Sequence, residues 1–314
     1  MSASPSKIVI TGAAGLVGQN LVVRLSRRGW TDIVGIDKHP TNTPVLRQLN
    51  PGITVIQADL ARDDGWQASL VGAETLVISH AQIGGMIQQE FEDNNVVSTR
   101  RLMAAAAAAG IKHIVHLSSS VVNSAAEDWY TDTKQRQEDL VLAGTIPAVV
   151  LRPTLMFGWF DRKHLGWLAR FMQRMPVFPI PGNGKFRRQP LYVGNFCDII
   201  IACIERRLSG AAYNVSGLET VEYIDIIREV KRASGGKAPI VCIPFWLFWI
   251  LLKLYSLVNR NPPFTTKQLA ALSIPELFEV IDWPGLFGVA PTPLAAALDE
   301  TFRTLPYSSV VLDF

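Results

Sequence analysis

The chain has 314 residues, nearly half of them hydrophobic and fewer than a fifth charged. That is enough for a sizeable core, in one large or two moderate domains, and it excludes a disordered or low-complexity protein. A formal net charge of only +3 without a long Lys/Arg run excludes nucleic acid as the main partner, because phosphate binding needs a concentrated basic face. Three cysteines (Cys197, Cys203 and Cys242) are an odd number without metal-like spacing, so neither a disulfide framework nor a metal site is expected.

The opening "MSASPSK" is a short polar arm with no apolar signal region, which points to a cytoplasmic start. A strand at Ile8–Ile10 then runs through Gly12, Gly15 and Gly18 into the amphipathic pattern Leu21, Val22, Leu25. In such a strand–turn–helix unit the first glycine permits the tight turn. The second lets the backbone approach a pyrophosphate, and the third lets helix pack closely on strand. The phosphates would lie at the helix N-terminus, where free N–H groups and the dipole favour negative charge. The next apolar run, "DIVGID", ends in Asp37, nineteen residues after Gly18. An acid there accepts from ribose hydroxyls and repels a 2′-phosphate, which favours NAD over NADP, although Lys38 and His39 follow directly.

Further strands are expected at 53–60, 75–81, 113–120 and 148–154, and a helix over Val96–Ala109 stopped by Gly110. Near-continuous apolar strands alternating with helices predict a doubly wound parallel α/β sheet of Rossmann type. This first domain spans 1–155. Beyond Thr154 the chain turns rich in Pro, Gly and irregular aromatic segments, as in "PVFPIPGNGKF". We place there, over 156–314, a smaller substrate-binding region, with a return to the sheet around 186–207. The run "IPFWLFWILLKLYSLV", Ile243–Val258, is too short and too interrupted by Pro244 and Lys253 to span a bilayer. It suits a helix buried in the C-terminal region, or a patch resting on a membrane surface.

With these elements in place, the sequence resembles the extended short-chain dehydrogenase/reductase superfamily, in particular the UDP-glucose 4-epimerase-like NAD-dependent epimerase/dehydratase family. The resemblance covers most of the chain, motif by motif and in order. "TGAAGLVG" resembles the nucleotide fingerprint, which implies cofactor contacts from Gly12, Ala14, Gly15, Leu16 and Val17. "ADL" implies adenine contacts from Asp59 and Leu60, and "SHAQ" places His80 and Ala81 beside the cofactor. "NNVVST" resembles the Asn-Val-x-x-Thr helix, with Asn95 as its asparagine. "HLSSSVV", "YTDTK", "RPTLMFG" (Pro153), "GNGKFRRQPLYVGN" and "AAYNVSG" follow.

The chemistry explains "YTDTK". An enzyme moving hydride at a carbinol carbon must also move a proton at its oxygen. A tyrosine, with a reference pKa of about 10, becomes a base near neutral pH only if nearby positive charge stabilises the phenolate. Tyr130 and Lys134 lie one helical turn apart on one face. The resemblance implies Tyr130 as acid/base, Lys134 as its partner and ribose holder, and Ser120 on the substrate oxygen. Ser118 is the alternative to Ser120, and also a cofactor neighbour. Arg188 matches an arginine on a sugar-nucleotide diphosphate, unless it is a loop arginine or a salt-bridge partner.

Departures narrow the reaction. Val121, Val122 and Asn123 stand where dehydratases carry Asp-Glu, which argues against 4,6-dehydration. Tyr130 follows Ser120 by only ten positions, so a substrate loop is trimmed. Asn195 stands near a usual aspartate. His113 and His116 read as structural, and Lys163 and His164 face either substrate or solvent. The resulting expectation is a 4-epimerase or 4-keto reductase acting on a UDP- or dTDP-sugar with NAD. The alternatives are a hydroxysteroid-type or other lipid-alcohol dehydrogenase and a non-catalytic dinucleotide-binding subunit. The family implies a homodimer, and the aromatic run a peripheral membrane contact of a cytoplasmic protein.

Overall fold

Apolar runs of four to six residues, each closed by a turn, build the sheet of this protein. Its structure, a computed structural model, describes residues 6–124, 127–258 and 278–313, with side chains only to Leu254 in the helix ending at Val258. The polar arm 1–5 and part of the C-terminal region, 259–277, lie outside the described residues. In chain order come β1 (Ile8–Thr11), α1 (Leu16–Arg27), β2 (Ile33–Asp37), α2 (Asn42–Leu49), β3 (Thr54–Gln57) and β4 (Thr75–Ile78). Then follow α3 (Gln88–Phe91), a π-helical turn at Glu92–Val97, α4 (Ser98–Ala109), β5 (His113–Leu117), α5 (Trp129–Leu142) and β6 (Ala148–Pro153). The chain next makes β7 (Met156–Phe157), α6 (Leu165–Arg174), β8 (Phe178–Pro181), β9 (Arg187–Arg188), β10 (Leu191–Tyr192), α7 (Val193–Arg206) and β11 (Ala211–Val215). It ends with β12 (Val221–Glu222), α8 (Tyr223–Ser234), β13 (Ile240–Ile243), α9 (Phe245–Val258), α10 (Trp283–Phe287) and α11 (Leu294–Arg303).

Seven strands form one sheet in the order β11-β6-β5-β4-β1-β2-β3, with every neighbouring pair parallel. The expected Rossmann-type doubly wound sheet is therefore what the chain builds. Strand order reverses between β1 and β4, and that is where such sheets bind ligands, outside the carboxyl ends of the strands. Strand residues alternate between two cores. Ile8, Ile10, Val77, Val115 and Leu117 face one side, together with α1 and α7. Val9, Leu76, Ile78 and Ile114 face the other, with Leu102 and Ala106 of α4 and Val141 of α5. Period-two alternation with both faces buried explains why these strands read as unbroken apolar runs.

The segment around 186–207 reaches the sheet as a helix rather than a strand. α7 lays Phe196, Ile199, Ile200 and Cys203, all fully buried, into the core shared with α1. Each fully buried Ile or Phe there contributes about 1.5–3 kcal/mol. The strand that closes the sheet comes just after it, as β11 beside β6. Small ladders (β7–β10, β8–β13, β9–β12) hold the rest of the C-terminal region.

α9 is not a buried helix over its described side chains. Trp246, Trp249, Ile250, Leu251 and Leu254 are all more than a third exposed. Among the described residues no helix is long and apolar enough to cross a membrane.

Candidate functional site

The turn after β1 is shaped by what its glycines exclude. Gly12 has φ +65°, and a Cβ there would lie 2.6 Å from the backbone nitrogen of His80. A Cβ on Gly18 would lie 2.5 Å from the Cα of Ala13, so helix and turn touch backbone to backbone. Gly15 begins α1, whose first turn has neither a side-chain cap nor an acid. The free N–H groups at Leu16 and Val17 are thus offered to an anion. Asp37, at the end of β2, accepts from the N–H of Ala14 and of His39, both at 2.9 Å. This fixes the acid against the turn.

Gly12, Asp37, Asp59, Leu60, His80 and Ala81, all expected at the cofactor, line one slot of about 110 Å³ at the point where strand order reverses. Lys38 lies across that slot. Its ammonium donates to Asn94 at 2.6 Å and to Asp59 at 3.3 Å, so the cation beside Asp37 is already paired. Asn94 rather than Asn95 lines the slot. Asn95 is buried and ties the loop after β4 to α5, accepting from the N–H of Gln82 (2.7 Å) and donating to Thr133 (2.9 Å). The π turn at Glu92–Val97 changes which side chain faces inward, and the sequence carried no signal of it. Ser118 Oγ is buried at the end of β5 with no hydrogen-bond partner among the described residues, an open acceptor and donor. Pro153 ends β6, also buried. Uncapped helix N-terminus, glycine turn, acid and orphaned hydroxyl together fit a dinucleotide such as NAD.

Asp128 caps α5 by accepting from the N–H of Thr131 at 2.8 Å, which places Tyr130 in the first turn. The Ser119 hydroxyl bears on its phenol and favours the phenolate. That hydroxyl is the neighbour of both serines singled out in the sequence. Ser119 is extended, and its side chain accepts from the N–H of Val121 to cap the 3₁₀ turn that begins at Ser120. The order of the serine motif could not distinguish the three.

Burial holds the Tyr130 phenol above its ordinary value; Ser119 opposes this, and Asp128 adds to it. Lys134 is buried, its ammonium donating to the carbonyl of Leu117 (2.9 Å) and to Gln137 Oε1 (2.6 Å). Burial lowers its pKa to about 7, and Glu138 opposes the fall only partly, because that carboxylate is bound by Arg152.

Beside Tyr130 opens a basin of roughly 1060 Å³ between the loop after β4 and the start of α5. Ile83, Phe91 and Trp129 are among its walls, with Glu127, Asp128 and Asp132. Arg188 lies elsewhere, on β9, donating to the carbonyl of Arg187 at 2.8 Å. Asn195 donates to Ala290 and Thr292 and is structural. His113 bonds to Leu208 and His116 is fully buried in β5. Lys163 and His164 supply backbone N–H groups to the Asp161 carboxylate, at 3.0 and 2.9 Å. Among the described residues no cluster could hold a metal ion.

The model of the NAD dependent epimerase/dehydratase family matches residues 8–216. The chain is similar to a ceramide reductase of Caulobacter vibrioides, 30% identical over 76% of this chain and 73% of that protein. It is also similar to a UDP-glucose 4-epimerase of Vibrio cholerae, 22% identical over 80% of this chain and 83% of the other. A UDP-glucuronic acid 4-epimerase of Bacillus cereus, solved in complex with NAD, shares the fold. Its TM-score is 0.70 at 22% identity, over 94% of this chain and 97% of that one.

Proposed function

The chain belongs to the NAD dependent epimerase/dehydratase family, and from that premise we propose that it is an oxidoreductase interconverting a secondary alcohol and a ketone on an uncharged, largely apolar substrate. Its cofactor is NAD, held by the glycine turn, Asp37 and the slot behind it, and supplying the two-electron hydride exchange. Tyr130 moves the proton on and off the substrate oxygen, Ser119 fixes that oxygen by a hydrogen bond, and Lys134 holds the ribose.

The observation that carries the substrate class is the basin at Tyr130. Its walls combine apolar side chains with carboxylates, and among the described residues they include no Lys or Arg. A nucleotide diphosphate calls for cationic, often bidentate donors; Asp132 is paired with Arg136 at 3.2 Å, and Glu127 and Asp128 would repel such a group. The similarity to a ceramide reductase supports the same class. A second reading, a nucleotide sugar, is supported by the similarity to a UDP-glucose 4-epimerase and by the shared fold with a UDP-glucuronic acid 4-epimerase. Purified protein with NADH should reduce a 3-ketosteroid or a long-chain keto-lipid in an absorbance assay and leave UDP- and dTDP-sugars unchanged. Turnover of a nucleotide sugar without any lipid turnover would overturn the first reading in favour of the second.

The exposed face of α9 supports contact with a bilayer surface. Trp246, Trp249, Ile250 and Leu254 recur at helical spacing, and Lys253 lies 5.4 Å over the Trp249 ring. Indole rings beside a snorkelling lysine suit the lipid headgroup region. The protein should co-sediment with phosphatidylcholine/phosphatidylglycerol vesicles, and Trp246→Ala with Trp249→Ala should lose most of that binding. A wild type that stays in the supernatant would refute the contact.

A further inference from the structure

Lys134 is the least exposed of the charged groups near Tyr130, yet no carboxylate touches it. Its ammonium has donors only, so the Gln137 side chain must present its oxygen to it, at 2.6 Å. The amide nitrogen then faces Thr99 Oγ1 (2.9 Å) and the carbonyl of His80 (3.3 Å), both acceptors. Thr99, accepting from Gln137, gives its own proton to His80 Nε2 at 3.1 Å. Burial brings His80 to a pKa of about 3, so the ring is neutral, and we assign its single proton to Nδ1 because Thr99 and the Gln137 amide nitrogen (3.4 Å) both face Nε2. That proton goes to Thr11 Oγ1 at 2.8 Å, and the Thr11 proton to the carbonyl of Val77 at 3.4 Å. Ser98, also near Nε2, gives its proton to the Asn94 carbonyl at 2.6 Å. One orientation of every group satisfies the whole set. The result is a one-way chain from α5 through α4 to β1, ending one residue before Gly12.

We propose that Gln137 is a positioning residue, which sets the place and the proton affinity of Lys134 and ties both, through Thr99 and His80, to the strand beneath the dinucleotide turn. The role in turnover rests on the reaction proposed above; the coupling between the two side chains does not. A neutral amide acceptor at this point has a chemical consequence. A carboxylate would hold the ammonium charged at all physiological pH, whereas Gln137 leaves it able to change charge near neutrality. The other groups facing Lys134 do not compensate. Glu138 on its own helix is bound by Arg152, and His80 and His116 are both buried, with pKa values lowered chiefly by burial.

The test titrates Lys134 directly, by NMR of protein carrying ¹³C-labelled lysine, with the signal assigned by its loss in Lys134→Met. In Gln137→Glu, which keeps the side-chain shape, the midpoint should rise by at least a pH unit, about tenfold in proton affinity. In Gln137→Met it should fall, and Thr99→Val, which cuts the chain one link further on, should move it the same way by less. NAD affinity measured against pH should shift in parallel. If Gln137→Glu retains wild-type circular dichroism and NAD binding while its Lys134 midpoint stays at the wild-type value, the role of Gln137 is overturned, whatever substrate is turned over. Should Gln137→Met fail to fold, the Glu variant alone decides. Midpoints that move in a protein that turns over no alcohol or ketone would uphold the coupling and count against the oxidoreductase reading instead.

Discussion

Tyr130→Phe lowers turnover roughly 10²–10⁴-fold, the range associated with a positioned acid/base group, while NAD binding stays close to wild type. The variant removes one oxygen from a site where the ring remains packed in the first turn of α5. Ser119, which bears on the phenol, stays held by accepting from the N–H of Val121. The dinucleotide slot is lined by other residues. Following NADH absorbance with the best substrate of the panel, alongside NAD titration of the same preparation, separates lost chemistry from lost binding. Wild-type turnover in Tyr130→Phe would remove the tyrosine from the mechanism. The phenol is held above its ordinary pKa, first by burial and then by Asp128, so its protonated form dominates near neutral pH. Donating a proton to a ketone is therefore the favoured direction, and the alcohol-oxidising direction should gain with rising pH.

Gly12→Ala lowers stability by about 2–5 kcal/mol and abolishes NAD binding. Two costs add. A non-glycine residue in the left-handed region costs about 1–2 kcal/mol, and overpacking a close contact costs about 1–3 kcal/mol more. The Cβ would meet backbone atoms of Ser79 and His80 at 2.6–2.7 Å, which cannot rotate away as a side chain could. Gly72→Ala serves as the control: its φ is +77°, but nothing lies within 4 Å of the added Cβ, so it should show only the first cost. Urea denaturation of both variants reads the difference. Equal losses would mean that the close approach at Gly12 contributes nothing.

The sheet was legible because its central strands are buried on both faces, and the apolar runs at β1, β2, β4, β5 and β6 say so directly. The slot where strand order reverses was legible for a related reason. Glycines that tolerate no Cβ and an acid at a strand end are constraints written in single residues. What escaped the sequence depends on rotation about an axis rather than on residue type. The π turn at Glu92–Val97 put Asn94 in the slot and Asn95 behind it. In a run of three identical serines, Ser119 caps the 3₁₀ turn at Ser120–Asn123 and bears on the Tyr130 phenol. Lys134 sits where the spacing placed it, one turn from Tyr130, but helical spacing does not report where a four-carbon side chain ends. Its partners, Leu117 and Gln137, were visible only in three dimensions. The aromatic run at α9 was ambiguous because hydrophobicity alone does not say what covers a helix.

The position of β11 has a consequence for how the molecule is made. In topological terms residues 154–210 are a single crossover between two adjacent parallel strands, β6 and β11. As the chain emerges in synthesis, β6 is paired on one side by β5 and bare on the other until that whole excursion has been laid down. Its apolar stretch, Ala148–Leu151, is in that interval an unprotected sheet edge of the kind that recruits other chains. Closing the sheet late, through contacts far apart in sequence, also makes folding slow relative to a locally wired domain. The chemistry at Tyr130 and the binding of the dinucleotide can be drawn within the first half of the chain, but the sheet that supports them is finished only at residue 215.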